Sequence, residues 1–98
     1  MKISHPAFAG TLESSDLQVR IEPNVSGGIE LSLDSTVEQQ FGKAIRNVVL
    51  ETLSNMKVAD AKIIIEDKGA LDCVIKARVQ AAVLRACGEQ EIDWSQLS

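Results

Sequence analysis

Residues 7–13 read Ala-Phe-Ala-Gly-Thr-Leu-Glu, residues 16–22 read Asp-Leu-Gln-Val-Arg-Ile-Glu, and Ser14-Ser15 lies between them. The second run alternates. Leu17, Val19 and Ile21 fall on one face and Gln18, Arg20 and Glu22 on the other, the period-two signature of a half-buried strand. A two-residue turn at Ser14-Ser15 sets Glu13 opposite Asp16, Leu12 opposite Leu17, Gly10 opposite Val19 and Phe8 opposite Ile21. The last three pairs are then apolar or glycine and share a face, which predicts Phe8, Gly10 and Leu12 pointing inward. Ser-Ser is not the Asn-Gly or Asp-Gly that tight hairpins prefer, so a four-residue loop is the alternative. Either way Ser14 sits at or beside an exposed tip.

Working outward, Pro23-Asn24-Val25-Ser26-Gly27-Gly28 is a turn signal. A third strand over 29–33 would point Ile29, Leu31 and Leu33 inward, and the three strands would form a meander. Ser35-Thr36-Val37-Glu38 has the capping-box pattern, with Ser35 at the N-cap. Apolar residues then recur at Val37, Phe41, Ala44, Ile45, Val48, Val49, Leu53 and Met56, which predicts a helix to about Lys57. Ala-Lys-Ile-Ile-Ile-Glu at 61–66 reads as a strand buried on both sides. Asp67-Lys68-Gly69 turns the chain. Residues 71–87 read as a second helix, with Val74, Ala77, Ala81 and Leu84 as its stripe, widened by Leu71, Ile75 and Val83, and Gly88 as its cap. The alternative there is a hairpin with a short second strand near 71–75. A polar tail with Trp94 follows. The order βββ-α-β-α predicts an α+β fold: a small single-layer antiparallel or mixed sheet with two helices packed on it. Residues 1–98 form one domain, with about 7–88 structured and 89–98 a tail.

Composition narrows the function. The 98 residues are 45% hydrophobic and 24% charged, a globular balance. Ten basic residues against fourteen acidic ones give a net charge of −4, with no basic stripe. That argues against nucleic acid and against an anionic membrane surface. No apolar run approaches the ~18 residues of a membrane span, and residues 1–6 lack the apolar stretch of a signal peptide, so the expected address is the cytoplasm.

Candidate chemistry is sparse. Cys73 and Cys87 lie fourteen apart, outside any CxxC, and with the single His5 they make no metal set. Both thiols are expected reduced and near the core, and His5 solvated on a tail. Glu38, Glu51, Lys43 and Arg46 read as one solvated helix face. Phosphate loops, HExxH and GxSxG are missing. No catalytic residue is assigned, and the chain reads as one that other proteins act upon. Two serines compete for a role. Ser35, before a helix, superficially resembles the Asp-Ser-Leu site of all-helical acyl carriers, but capping explains it and leucine is missing from the third position. Ser14 is explained by a turn alone. No histidine is placed to activate it, so it is no triad nucleophile, yet an exposed tip permits covalent modification.

The whole chain nonetheless resembles a known family. Ala9-Gly10-Thr11-Leu12-Glu13-Ser14 with Asp16, then Val37-Glu38, Phe41-Gly42 and Ala44-Ile45-Arg46, then Glu66 through Cys73 and Ala77-Arg78 are similar to citrate lyase acyl carrier proteins, the small gamma subunits. The malonate decarboxylase carrier is a more distant relative. Ser15 departs from the pattern, where glycine is expected, and offers a second hydroxyl. The resemblance implies a non-catalytic carrier whose Ser14 holds 2′-(5″-phosphoribosyl)-3′-dephospho-coenzyme A through a phosphodiester. Its thiol would carry acetyl and citryl groups between an alpha (acyl transferase) and a beta (lyase) subunit in bacterial citrate fermentation. A prosthetic-group transferase and an acetate ligase acting on the thiol are further implied partners. Glu13 and Asp16 become candidates for docking to basic partner surfaces. The alternatives are a malonate decarboxylase-type carrier and an unmodified interaction module.

Overall fold

The computed structural model describes residues 1–87, apart from the Glu38 side chain. The expected Gly88 cap, the tail with Trp94 and the capping and surface roles of Glu38 lie outside the described residues. The elements are β1 (Ala7–Gly10), β2 (Leu17–Glu22), β3 (Ile29–Ser35), α1 (Glu38–Asn55), β4 (Ala61–Asp67) and α2 (Asp72–Ala86). They make a four-stranded sheet with two helices, the α+β layering the sequence predicts. Helix begins at Asp72, which decides between helix and hairpin near 71–75.

The strands do not form a meander. Their order is β1-β2-β4-β3, with β4 antiparallel to β2 and parallel to β3. The α1 crossover makes the parallel pair possible. Hydrophobicity explains the order. β4 buries Ile63 and Ile65 completely, whereas Ile29, Leu31 and Leu33 of β3 are only half-buried and suit an edge. Ile64, expected buried, is 42% exposed, because β4 is central in the ladder but covered on one face.

The hairpin register is also one residue away from the expected one. Ala7 pairs with Ile21, Phe8 with Arg20, Ala9 with Val19 and Gly10 with Gln18. Ala7 and Ala9 therefore point inward, and Phe8 stands outside with the Arg20 guanidinium 5.5 Å from its ring centre. α2 packs across β1 and β2, and small side chains on β1 let it approach. The slip is possible because residues 11–16 form a six-residue loop rather than a two- or four-residue one.

α1 starts later than the capping pattern predicts. Ser35 ends β3, Val37 occupies the N-cap, and no side chain caps the helix. At its other end Val58 N–H donates to Leu53 O and Lys57 N–H to Ser54 O, with Lys57 left-handed at φ 58°: a Schellman stop closed by buried Val58. On α2 the buried face is Ile75, Val79, Ala82, Val83 and Ala86, so the expected stripe is rotated and Ala77 is exposed. Alanines carry too little hydrophobic signal to fix a face, and α2 must meet both the sheet and α1. Ahead of β1, Ile3 is buried and bridges Cys87, and Ser4 and His5 donate backbone N–H groups to Ala86 O.

The rotated face has a direct check. Ala82→Leu should overpack and cost about 1–3 kcal/mol, while Ala77→Leu should stay within about 0.5 kcal/mol. Urea unfolding of both variants measures this, and the sequence-predicted stripe would have Ala77 as the costlier site.

A braced loop as the candidate functional site

Loop 11–16 is built from the end of β1. Gly10 has φ +89°, and a Cβ there would lie 1.9 Å from Leu17 O and 3.3 Å from Arg78 Cδ. Only glycine turns the chain here while β2 and Arg78 pass so close. Thr11 N–H then donates to Leu17 O, and Asp16 N–H to Glu13 O. Ser15 is left-handed at φ 64°. This conformation is the physical reason that glycine is the expected residue at position 15.

Two contacts fasten the loop to the body. Ser15 N–H donates to Lys68 O at 2.8 Å, and Lys68 N–H donates to Asp16 O at 2.9 Å, which continues the β2–β4 ladder beyond the strands. Arg78 of α2 grips Asp16 with two hydrogen bonds, Nε to Oδ1 and a terminal nitrogen to Oδ2, both 3.0 Å. Asp16 also accepts from the Thr11 hydroxyl at 2.7 Å and the Leu17 N–H at 2.7 Å. Its side chain is only 14% exposed. The Arg78 hydrogen bonds, then the Thr11 hydroxyl, lower its pKa from 3.8 to about 2, against the desolvation that raises it. The docking role expected for Asp16 gives way to a bracing one, since both its oxygens are engaged within the chain. Glu13 remains exposed.

Ser14 is exposed at the middle of this loop, and no hydrogen bond engages its Oγ among the described residues. Ser35 differs. Its hydroxyl donates to Asp67 Oδ2 at 2.7 Å and accepts Val37 N–H at 3.1 Å. Asp67 is buried, and its Oδ1 accepts Ala70 N–H at 2.9 Å, so one carboxylate ties the end of β3 to the start of α2. Sequence reasoning placed Asp67 in a turn and quoted Arg78 only within the family resemblance, with no bracing role for either. Arg78 lies 62 residues from Asp16, and no local pattern announces such a pair.

The other candidates separate. Cys73 is exposed, not near the core, while Cys87 is buried with its thiol 3.5 Å from Leu84 O. His5 is exposed, but its Nε2 lies 2.6 Å from Arg85 O, so it is pinned to the end of α2 rather than on a free tail. Among the described residues no group of three or more His, Cys, Asp or Glu could hold a metal ion, and no helix is long and apolar enough to cross a membrane.

A serine hydroxyl held in solvent on a braced loop is an arrangement that a carrier domain can use. The relatives say which kind. The family model described as malonate decarboxylase delta subunit (MdcD) matches residues 4–86. The citrate lyase acyl carrier protein of Vibrio cholerae serotype O1 (strain M66-2) is 80% identical over 98 residues, covering all of both chains. That of Klebsiella pneumoniae is 55% identical over 97 residues, 99% of this chain and all of the other. A crystal structure of a Pseudomonas malonate decarboxylase hetero-tetramer with malonate contains a chain of the same fold, with a TM-score of 0.67 at 20% identity over 89% of this chain and 93% of that one. This chain belongs to the acyl carrier family of citrate lyase and malonate decarboxylase, on the citrate lyase side. It is a non-catalytic carrier subunit, and such a carrier works through a covalently attached prosthetic group.

The brace sets its own test. Arg78→Met should lower stability by about 1 kcal/mol at neutral pH, a modest value because Arg78 is partly solvated. Asp16 has its pKa depressed in the folded state, so its contribution is complete above pH 3.8 and is lost as pH falls through about 2. Denaturation curves of wild type and variant should therefore differ at pH 7 and converge toward pH 2.

Proposed function

We propose that Ser14 is the attachment site, through a phosphodiester, of 2′-(5″-phosphoribosyl)-3′-dephospho-coenzyme A. The supporting observation is the contrast between serines: the Ser14 hydroxyl is exposed with no hydrogen bond among the described residues, whereas the Ser35 hydroxyl is committed to Asp67. The loop suits such a group. Asp16 carries its negative charge beside Ser14, but Arg78 neutralises it at 3.0 Å, which reduces repulsion of an incoming phosphate. No base of this chain is hydrogen-bonded to Ser14 Oγ among the described residues, so a prosthetic-group transferase must itself remove the serine proton.

When bound, the group supplies a terminal thiol that carries the acyl group as a thioester. The chain's own residues hold the anchor. Gly10 makes the turn, Arg78 and Asp16 fix the loop to α2, and the Lys68 backbone fixes it to β4. In this reading the alpha subunit exchanges acetate for citrate on the thioester. The beta subunit then cleaves the citryl form to oxaloacetate and restores the acetyl thioester, so the complex converts citrate to oxaloacetate and acetate in the cytoplasm. A separate ligase acetylates the thiol. Tethering keeps the acyl group at high effective concentration near each site. The 80% identical citrate lyase relative favours citrate over malonate as the substrate of the assembly.

Intact mass and peptide mapping test the site, after incubation with the transferase and triphosphoribosyl-dephospho-coenzyme A. One added group should map to the peptide containing Ser14, persist in Ser15→Ala and Ser35→Ala, and vanish in Ser14→Ala. Addition on Ser15 or Ser35 would refute the site. No addition to folded protein would leave the unmodified interaction module.

A further inference from the structure

Two residues of the carrier loop face Lys68 at once. Ser15 N–H donates to Lys68 O at 2.8 Å, and Lys68 N–H donates to Asp16 O at 2.9 Å. Two residues opposite one, the first of them left-handed at φ 64°, make a β-bulge. Such a bulge ends regular pairing and re-aims the side chains beside it. The N–H that reaches Lys68 O belongs to the peptide bond joining Ser14 to Ser15. Asp16 N–H closes back on Glu13 O at 3.2 Å, so Ser14 stands in a tight turn held against Lys68.

The Lys68 side chain is left without a counter-ion. Of the described lysines, only Lys62 and Lys68 are half-buried. Lys62 has Glu30 at 3.9 Å. No hydrogen bond or ion pair engages the Lys68 ammonium among the described residues. Two acids lie close in the ladder, and neither serves. Arg78 takes both oxygens of Asp16, and Glu66 makes no ion pair with Lys68. Glu13, the other acid of the loop, is exposed and likewise unpaired with it. A partly desolvated cation is stabilised by an opposite charge brought against it. Lys68 is therefore the unmatched positive charge beside Ser14.

We propose that the Lys68 ammonium pairs with the phosphodiester formed at Ser14, and so holds the root of the prosthetic arm against the end of β4. The proposal rests on reading Ser14 as the attachment site, and it names the group of this chain that meets the attached phosphate. Backbone bonds keep Lys68 beside the Ser14–Ser15 peptide, and a flexible four-carbon stem carries the ammonium to the phosphate oxygens. Lysine binds phosphate as a compact point charge, which suits a diester with one negative charge to share.

Lysine acetylation reads the pairing directly. Free and arm-loaded protein, with the load mapped by mass to its serine, are treated with limiting acetic anhydride, and each lysine is followed by peptide mapping. Lys68 should react about tenfold more slowly in the loaded protein, while exposed Lys43 and Lys57 stay within about twofold. Protection should fade in about 1 M salt, which screens such a pair. ³¹P NMR separates the diester at the serine from the diphosphate further along the arm. Lys68→Met should move the diester signal alone, and Lys68→Arg should return it toward the wild-type position. Both variants keep the backbone bonds to Ser15 and Asp16, so Tm should stay within about 2 °C. Loading on Ser14 with Lys68 unprotected, or with a diester signal indifferent to Lys68→Met, overturns the pairing and leaves the attachment site standing. Protection that survives salt assigns the effect to the bulk of the arm and also overturns it, as does a shift confined to the diphosphate. A group found on another serine, or on none, overturns both readings.

Discussion

β4 is hydrogen-bonded along both edges, to β2 on one side and β3 on the other, and the carrier end hangs from its last residues. Asp67, buried at its C-terminal end, holds Ser35 and Ala70 and so sets where α1 is approached and where α2 begins. Lys68, one residue later, holds Ser15 and Asp16 through its backbone. A strand buried through Ile63 and Ile65 and paired on both sides is the least mobile part of a small domain. The Lys68 backbone bonds fix the two residues after Ser14 to the end of that strand.

Under the proposed attachment at Ser14, rigidity at this point matters because the two ends of the carried group have opposite requirements. The thioester must reach more than one active site, which calls for a long flexible arm. Each degree of freedom left in the anchor would dilute the arm's tip over a larger volume and lower its effective concentration. The loop is closed at three points: glycine at position 10, the Lys68 ladder and the Asp16–Arg78 pair. The pair has a second effect. It pairs the Asp16 charge with Arg78, which under the proposed attachment at Ser14 lowers the repulsion of an incoming phosphate. Glu13 stays in solvent.

Much of this was readable from the residues, and the misses have physical causes. The element order and the second strand's inward face followed from period-two alternation at Leu17, Val19 and Ile21. The register did not, because Ala7 and Ala9 were outweighed by Phe8 in any count of hydrophobicity. What decides between them is the close approach of α2, a tertiary constraint. The central place of β4 was missed for a similar reason: β3 and β4 become neighbours through a crossover that no local pattern encodes. Ser35 in front of Glu38 looked like a helix cap, yet Ser35 ends β3, its Oγ accepts the Val37 N–H, and its hydroxyl donates to buried Asp67 while the helix starts from Val37. Ser14 itself was unremarkable as a turn residue, and the resemblance to citrate lyase carriers singled it out. Its brace was invisible, since Asp16 and Arg78 meet only after folding.

The central claim is that the anchor is rigid and only the arm moves. Backbone ¹⁵N relaxation of the arm-loaded subunit measures this directly. Ser14 and Ser15 should show order parameters near the ~0.85 of rigid backbone, equal to those of β2 and unchanged from the unloaded protein. Values below about 0.6 at these two residues would contradict the claim and place the mobility in the loop itself.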